Sequence, residues 1–188
     1  MGPPPGYHQH DGFYVRLTAG IGGLRTNNSV GGVDQTTSGG GPSMTFAFGG
    51  AMAPNVMLYG EMLITGATNP QVDYAGTSRA LGYDLTLFGI GPGVAYYFMP
   101  SNVYLSGTLA FSQVAESTTD NSSSSSDSVD VTKMGIGASF MVGKEWWVSS
   151  NWGLGVAGLL HVASMRMMGD DSRMTATALS LLFSATYN

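Results

Sequence analysis

The feature that most constrains the fold of this chain is a succession of eight segments in which apolar residues alternate with small or polar ones. The connectors between these segments alternate strictly between long and short. The long connectors are residues 25–42, 67–84, 115–131 and 165–173, and the short ones are residues 53–55, 99–102 and 148–151. This rhythm predicts an all-β fold, an eight-stranded antiparallel up-and-down transmembrane β-barrel. Its tight turns would face the periplasm, together with both termini, and its long loops would lie outside.

The composition supports a barrel over the other classes of protein. Only 10% of the residues are charged, against roughly 25% in an average protein, whereas 43% are hydrophobic. A helical membrane protein would need runs of about 20 apolar residues. The most apolar stretch, residues 152–165, is interrupted by three glycines and by His161. A barrel reconciles these facts, because its lipid face uses only every second residue of each strand.

Other features of the composition set limits on function. The chain has no cysteine, which excludes a disulfide framework and thiol catalysis. Seven basic against 12 acidic residues argue against nucleic-acid binding. The Pro-rich, polar start shows no signal-peptide core, so we interpret the sequence as a mature form with an added initiator Met. Residues 1–11 are expected to form a flexible periplasmic tail, and residues 12–188 the barrel domain.

The alternation assigns faces to the predicted strands, because successive side chains of a strand point to opposite sides. In the first strand, the set expected to face lipid is Phe13, Val15, Leu17, Ala19 and Ile21, and the set expected to face the lumen is Tyr14, Arg16, Thr18, Gly20 and Gly22. In the other strands, lipid-facing positions include Phe46, Leu58, Phe88, Leu105, Phe140 and Leu181. Pro92 has no N–H to donate, so a bulge or a weakened ladder is expected there.

Aromatic residues gather near the predicted tight turns. This set comprises Phe13, Tyr96, Phe98, Trp146, Trp152 and Tyr187. Amphipathic rings favour the boundary between membrane and water. The set is therefore interpreted as the periplasmic aromatic girdle.

On these residues the chain resembles the small eight-stranded outer-membrane β-barrel family, the OmpX and OmpA transmembrane-domain group. The resemblance covers roughly residues 12–188 and is clearest in residues 89–98, 143–147 and 181–188. It implies the outer membrane of Gram-negative bacteria, and insertion by the barrel-assembly machinery. Such barrels commonly end in Phe as an assembly signal, whereas this chain ends in Tyr187 and Asn188.

Two charged residues fall in the middle of predicted strands, Arg16 and Glu61, and both are expected to point into the lumen. A charge within a membrane is costly unless it is paired or solvated. We therefore predict a structural ion pair inside the barrel, with a solute path or proton relay as the alternative. Other polar lumen residues are expected to be Tyr14, Tyr59, Tyr104 and His161.

A catalytic site receives little support. Lipid A deacylases offer an analogy for a barrel that carries His, Ser and a carboxylate at its rim, and His161 is followed by Ser164. Residues three apart in a strand point to opposite faces, however. His161 is therefore predicted to be a hydrogen-bonded lumen residue, with no catalytic residues assigned. His8 and His10, in the tail, are expected to be solvated.

The third long connector contains the serine run 122–126 between Glu116 and Asp130 and also carries Asp120 and Asp127. Its low hydrophobicity predicts a solvated segment, with a divalent-cation site or an adhesive surface as the alternative. Asp170 and Asp171 are interpreted in the same way. The glycines at 89, 91 and 93 precede no helix, so they do not indicate a nucleotide site. No metal site or cofactor is predicted.

The leading functional hypothesis is a non-enzymatic outer-membrane barrel with a side-chain-filled lumen, which acts structurally or through surface interactions of its loops. The alternatives are a narrow channel for small or apolar solutes and a lipid-modifying enzyme. A soluble ligand-binding barrel would need charges on its outer face, and these are missing. The expected partners are outer-membrane lipid and lipopolysaccharide, and a surface or protein partner that the sequence does not identify; no nucleic-acid partner is expected.

Overall fold

The computed structural model describes residues 10–30, 33–74, 76–118, 127–130, 132–169 and 172–188. Besides several turns, these ranges contain eleven antiparallel strands. They are β1 (Phe13–Val30), β2 (Val33–Ala53), β3 (Val56–Ala67), β4 (Gln71–Tyr74), β5 (Thr77–Ala80), β6 (Asp84–Phe98), β7 (Val103–Thr118), β8 (Asp127–Asp130), β9 (Thr132–Trp147), β10 (Trp152–Met167) and β11 (Arg173–Tyr187).

Eight long strands make a closed barrel in which each strand pairs with its neighbours along the chain. The barrel strands follow one another as β1, β2, β3, β6, β7, β9, β10 and β11, and β11 pairs with β1 to close the ring. The predicted eight-stranded up-and-down barrel is therefore confirmed. No helix in the described ranges is long and apolar enough to cross a membrane.

Three tight connections define one end of the barrel, which we call the turn end. Asn55 and Asn102 adopt φ angles of 64° and 53° there, a left-handed conformation that asparagine tolerates better than most residues. His10 and Asn188 lie at the same end, since the His10 carbonyl accepts a hydrogen bond from Asn55 N and Asn188 N donates one to the Asn151 carbonyl. The opposite end is called the hairpin end.

At the hairpin end the structure differs from the long loops expected from the sequence. β1 and β2 stay paired through residues 25–42, up to Val30 and Val33. The connector 67–84 contains the hairpin of β4 and β5, and β8 of the connector 115–131 pairs with β7. Polar residues occupy both faces of these extensions, so they lack the apolar alternation by which strands are detected. Strands therefore continue into the connectors that the sequence analysis assigns to long loops.

Within the barrel, the predicted alternation of faces is confirmed. The side chains of Phe46, Leu58, Leu105, Phe140 and Leu181 are exposed on the outer face, and that of Phe88 is partly exposed. Their neighbours along each strand are buried in the lumen. At Pro92, the ladder between β6 and β7 omits Gly91 and Pro92, and the register is the same on both sides. The proline therefore weakens the ladder without creating a bulge there.

Side chains fill the lumen in layers. An apolar cluster near the turn end contains Tyr14, Tyr59, Tyr97, Tyr104 and Met141. A second cluster near the hairpin end contains Leu24, Leu87, Val114, Met165 and Met174. Tyr83 packs against this second cluster, and its partial burial, together with the Glu116 carboxylate, raises the pKa of its phenol to about 12. Hydroxyl-bearing side chains and His161 lie between the two clusters.

Candidate functional site

The charged centre of the lumen joins Arg16 of β1 to Glu61 of β3. Arg16 Nη2 lies 3.1 Å from Glu61 Oε2, and the two side chains are 0% and 2% exposed. The structure thus brings together the two charged residues that the sequence places in the lumen. A buried charge is tolerated only when an opposite charge and hydrogen bonds compensate for its lost hydration.

Hydroxyl groups of β7 form hydrogen bonds with both members of this ion pair. Thr108 Oγ1 donates a hydrogen bond of 3.0 Å to Glu61 Oε1, and Ser106 Oγ accepts one of 3.4 Å from Arg16 Nη2. Both carboxylate oxygens of Glu61 therefore have a partner, as a buried carboxylate requires. The pair is anchored to three strands, β1, β3 and β7.

Tyrosine rings surround the Arg16 guanidinium. Its Cζ lies 5.8 Å from the ring centroid of Tyr14, 5.5 Å from that of Tyr59 and 4.9 Å from that of Tyr104. These distances are within the range of cation–π attraction, which is worth about 2 kcal/mol when the groups are desolvated. Tyr97, which the sequence reasoning did not assign to the lumen, extends the cluster through a 3.3 Å contact between its hydroxyl and that of Tyr14. Together these side chains occupy the lumen at the level of Arg16.

Glu145 of β9 is a second buried carboxylate, and the sequence reasoning missed it. It is 1% exposed, and its Oε1 accepts hydrogen bonds from Ser184 Oγ at 3.1 Å and from Thr186 Oγ1 at 2.6 Å. The sequence places only Arg16 and Glu61 in the middle of predicted strands, whereas Glu145 is close to a predicted turn. The alternation was the available signal, since Gly143 faces the lumen and Glu145 follows two residues later.

His161 of β10 is fully buried and lies between two serines. Its Nε2 is 3.1 Å from Ser112 Oγ, and its Nδ1 is 2.8 Å from Ser139 Oγ. Ser164 is exposed on the outer face, so the two residues of the catalytic hypothesis do not meet. A serine hydroxyl occupies the position at Nδ1 where a catalytic triad would have a carboxylate.

At the turn end, His10 is buried, which corrects the expectation that it is solvated. Its Nε2 lies 2.8 Å from Asn102 Oδ1, and its ring stacks on Tyr97 with centroids 3.6 Å apart. The Trp147 ring lies 5.0 Å from it by centroids. The polar sequence around His10 gave no sign of this burial, which depends on the barrel mouth offering an aromatic surface.

The aromatic residues assigned to the girdle lie on the outer face near the turn end. Five of them are 44–53% exposed, namely Phe13, Tyr96, Phe98, Trp146 and Trp152. The rings of Tyr96 and Phe98 meet edge to face at 4.8 Å, and those of Trp152 and Tyr187 pack at 5.3 Å. This placement is compatible with the boundary of a membrane.

Several sequence hypotheses concern residues outside the described ranges. These residues are 1–9 of the tail, including His8, the segment 119–126 with its serine run and Asp120, and Asp170 and Asp171. Within the described ranges, no group of three or more His, Asp or Glu residues is placed to hold a metal ion.

Comparison with known proteins identifies a protein family for this chain. A family model described as the outer membrane protein β-barrel domain matches residues 4–185. No curated protein matches the sequence with significant similarity.

Solved structures share the fold at low sequence identity. Neisserial surface protein A is 16% identical with a TM-score of 0.59, and the match covers 93% of this chain and 96% of that one. The outer membrane protein OprG of Pseudomonas aeruginosa is 13% identical with a TM-score of 0.53, and the match covers 95% and 98% of the two chains. At such identities the likeness concerns the architecture.

Proposed function

The chain belongs to the outer membrane protein β-barrel domain family and lies in the bacterial outer membrane, and we propose that it is a non-enzymatic barrel with a closed lumen that presents a sheet to the cell exterior. The observation that carries this proposal is the Arg16 layer. An eight-stranded barrel is only wide enough inside for its own side chains. A guanidinium held by Glu61 and surrounded by three tyrosines fills the cross-section that a solute would have to pass.

Hydrogen bonds fix a further layer of the lumen toward the hairpin end. The hydroxyls of Thr18 and Thr45 are 2.8 Å apart, and Ser43 Oγ lies 2.9 Å from both Thr65 Oγ1 and Ser180 Oγ. These contacts link four of the eight barrel strands. Because these small polar side chains are hydrogen-bonded to one another, they do not need water or a solute as a partner at this level.

The sheet proposed to face the cell exterior continues from the barrel wall at the hairpin end. β1 extends 17 residues beyond Phe13, which carries it about 40 Å along the barrel axis at ordinary strand rise and tilt. That height exceeds an apolar band of about 25 Å. β2 pairs with β4 in this region, and β4 pairs with β5.

β5 forms the edge of this sheet in the described part of the chain, and its four residues are all exposed. An edge strand offers unpaired N–H and C=O groups to a second chain. Addition of an extended segment to such an edge is a common mode of protein recognition. The exposed edge therefore supports interaction with an extended protein segment at the cell surface.

The two alternatives have weaker geometric support. A channel for small or apolar solutes would use the apolar cluster near the hairpin end, but its path would then have to break the Arg16–Glu61 pair. A lipid-modifying enzyme would need an exposed nucleophile beside its base, and Ser164 and His161 lie on opposite faces.

Solute uptake tests the closed lumen. Proteoliposomes that contain the barrel should take up small sugars and small apolar solutes no faster than empty liposomes. Uptake that rises in proportion to the amount of barrel, and that saturates with solute, would favour the channel.

Binding assays with cells that display the barrel test whether the sheet interacts with other proteins. Cells that display the barrel should bind at least one protein on an array of host and bacterial surface proteins. The binding should be lost when residues 71–80 are replaced by a short turn, and retained when Lys144 at the turn end is changed to Gln. Absence of any hairpin-dependent binding would contradict the surface role.

A further inference from the structure

Three of the seven basic residues of the chain lie side by side on the outer face, at the hairpin end. Arg166 of β10 is directly opposite Arg173 of β11 on one side and Lys133 of β9 on the other. All three side chains are exposed, and they line one cavity of about 440 Å³ together with Met134 and Ile136.

A bulge places Lys133 on this face. The register between β9 and β10 shifts by one residue between Ser164 and Arg166, so that Ile136 is opposite Ser164 but Lys133 is opposite Arg166. Without the shift, Lys133 would have the same phase as Gly135, which faces the lumen. The bulge therefore brings a third cation, Lys133, to the cluster.

Arg166 and Arg173 lie directly opposite each other, and this pairing is electrostatically unfavourable without an anion nearby. Like charges directly opposite one another on a sheet destabilise the pairing. No ion pair within the described residues involves Arg166 or Arg173. The chain as a whole carries a net charge of −5, so its general surface charge does not account for three adjacent cations. An anionic ligand would relieve the repulsion between the two arginines.

The height of the cluster points to lipid headgroups. Arg166 follows Trp152 of the girdle by 14 residues on β10, which amounts to about 35 Å along the barrel axis. The apolar band of an outer-membrane barrel is about 25 Å tall, so the cations lie above it, at headgroup level. Directly below them, Met134 and Ile136 are 60% and 70% exposed on the lipid-facing wall.

We propose that Lys133, Arg166 and Arg173 bind the phosphate groups of an anionic glycolipid in the outer leaflet, of the lipid A type. The guanidinium groups of the two arginines match phosphate oxygens in a bidentate geometry. The acyl chains lie against Met134 and Ile136 in the same groove. The site does not depend on whether the lumen is closed, so it stands apart from the proposed function.

Native mass spectrometry of the detergent-solubilised barrel with added bis-phosphorylated lipid A tests the site. Each neutral variant, Arg166→Gln or Arg173→Gln, should weaken binding about fivefold, equivalent to about 1 kcal/mol. The double variant should weaken it more than tenfold. The charge-preserving double variant Arg166→Lys with Arg173→Lys should retain most of the binding. A difference in migration between the unheated and the heated form on SDS gels establishes which variants are folded.

The matched control is Arg79→Gln, which removes an exposed cation from β5 and should leave lipid A binding unchanged. Dephosphorylated lipid A should bind the wild type as weakly as it binds the double variant.

Four results would overturn the proposal. The first is that the wild type and the double variant bind lipid A equally, and the second is that the wild type binds dephosphorylated lipid A as tightly as lipid A. The third is that pyrophosphate binds as tightly as lipid A. The fourth is that lipid A binds only after Asp170 and Asp171 are replaced by Asn. The third result would assign the cluster to a soluble anion. The fourth would show that these aspartates already neutralise the cluster.

Discussion

Arg16 and Glu61 reach each other across a strand that contributes only Ala47 between them. Arg16 lies opposite Ala47 of β2, and Ala47 lies opposite Glu61 of β3. Because the alanine side chain is short, the guanidinium extends over β2 to the carboxylate and spans part of the lumen. The ion pair is therefore a property of three neighbouring strands in one register, and its removal affects both the stability and the permeability of the barrel.

Removal of one partner of this pair should be costly. Glu61→Gln keeps the shape of the side chain but leaves Arg16 buried without an opposite charge, and loss of one partner of a buried pair costs about 3–5 kcal/mol. We expect the free energy of unfolding to fall by that amount in urea titrations of the barrel in lipid vesicles, followed by tryptophan fluorescence.

The double variant Arg16→Met with Glu61→Met is the control for this prediction. It removes both charges, so it should be less destabilised than the sum of the two single Met variants, with a coupling energy above about 2 kcal/mol. A coupling energy close to zero would show that the two groups do not stabilise each other.

A methyl group added inside the lumen should be harmful, whereas one added outside should not. A Cβ at Gly93 would lie 2.5 Å from both Thr108 Oγ1 and the Tyr59 ring, whereas a Cβ at Gly60 would have no atom within 4 Å. Overpacking costs about 1–3 kcal/mol. We expect Gly93→Ala to lower the free energy of unfolding by this amount and Gly60→Ala to leave it within about 0.5 kcal/mol of wild type. Equal effects of the two would contradict the assigned packing around Tyr59.

Spin labels should separate the two faces of the barrel wall. Labels at positions expected to face lipid should be accessible to oxygen dissolved in the bilayer and protected from aqueous quenchers. These positions are Phe46, Leu58, Phe88, Leu105, Phe140 and Leu181. Labels at the inward-facing positions Thr45 and Ser180 should be neither strongly accessible to oxygen nor strongly accessible to aqueous quenchers. A one-residue change of register would move every label to the other face, so the reverse pattern would refute the topology.

The sequence predicts the barrel wall well because lipid imposes a period of two on every strand that crosses it. Phe46 and Leu58 were assigned correctly for this reason. The same reasoning failed for residues 25–42, because strands that extend beyond the membrane have polar residues on both faces. Hydrogen bonding along the ladder continues there without a hydrophobic pattern to reveal it.

The sequence identifies lumen residues where a charged side chain lies in mid-strand, but it misses others. Arg16 and Glu61 stand out in an apolar segment. Glu145 was missed because it is close to a turn, and His10 because its burial depends on Tyr97, a residue remote in sequence. Lys133 reaches the outer face through a bulge, and one-residue register shifts leave no clear mark in a glycine-rich strand.

Single-channel recording in planar lipid bilayers tests the closed lumen most directly. With Arg16 held by Glu61 and surrounded by tyrosines, the purified wild-type barrel should show at most sporadic, small currents. The girdle variant Trp152→Phe, altered only on the outer face, should behave identically. Stable, ion-selective conductance of the wild type that changes with Arg16→Ala or Glu61→Gln would contradict the closed lumen and establish the channel in its place.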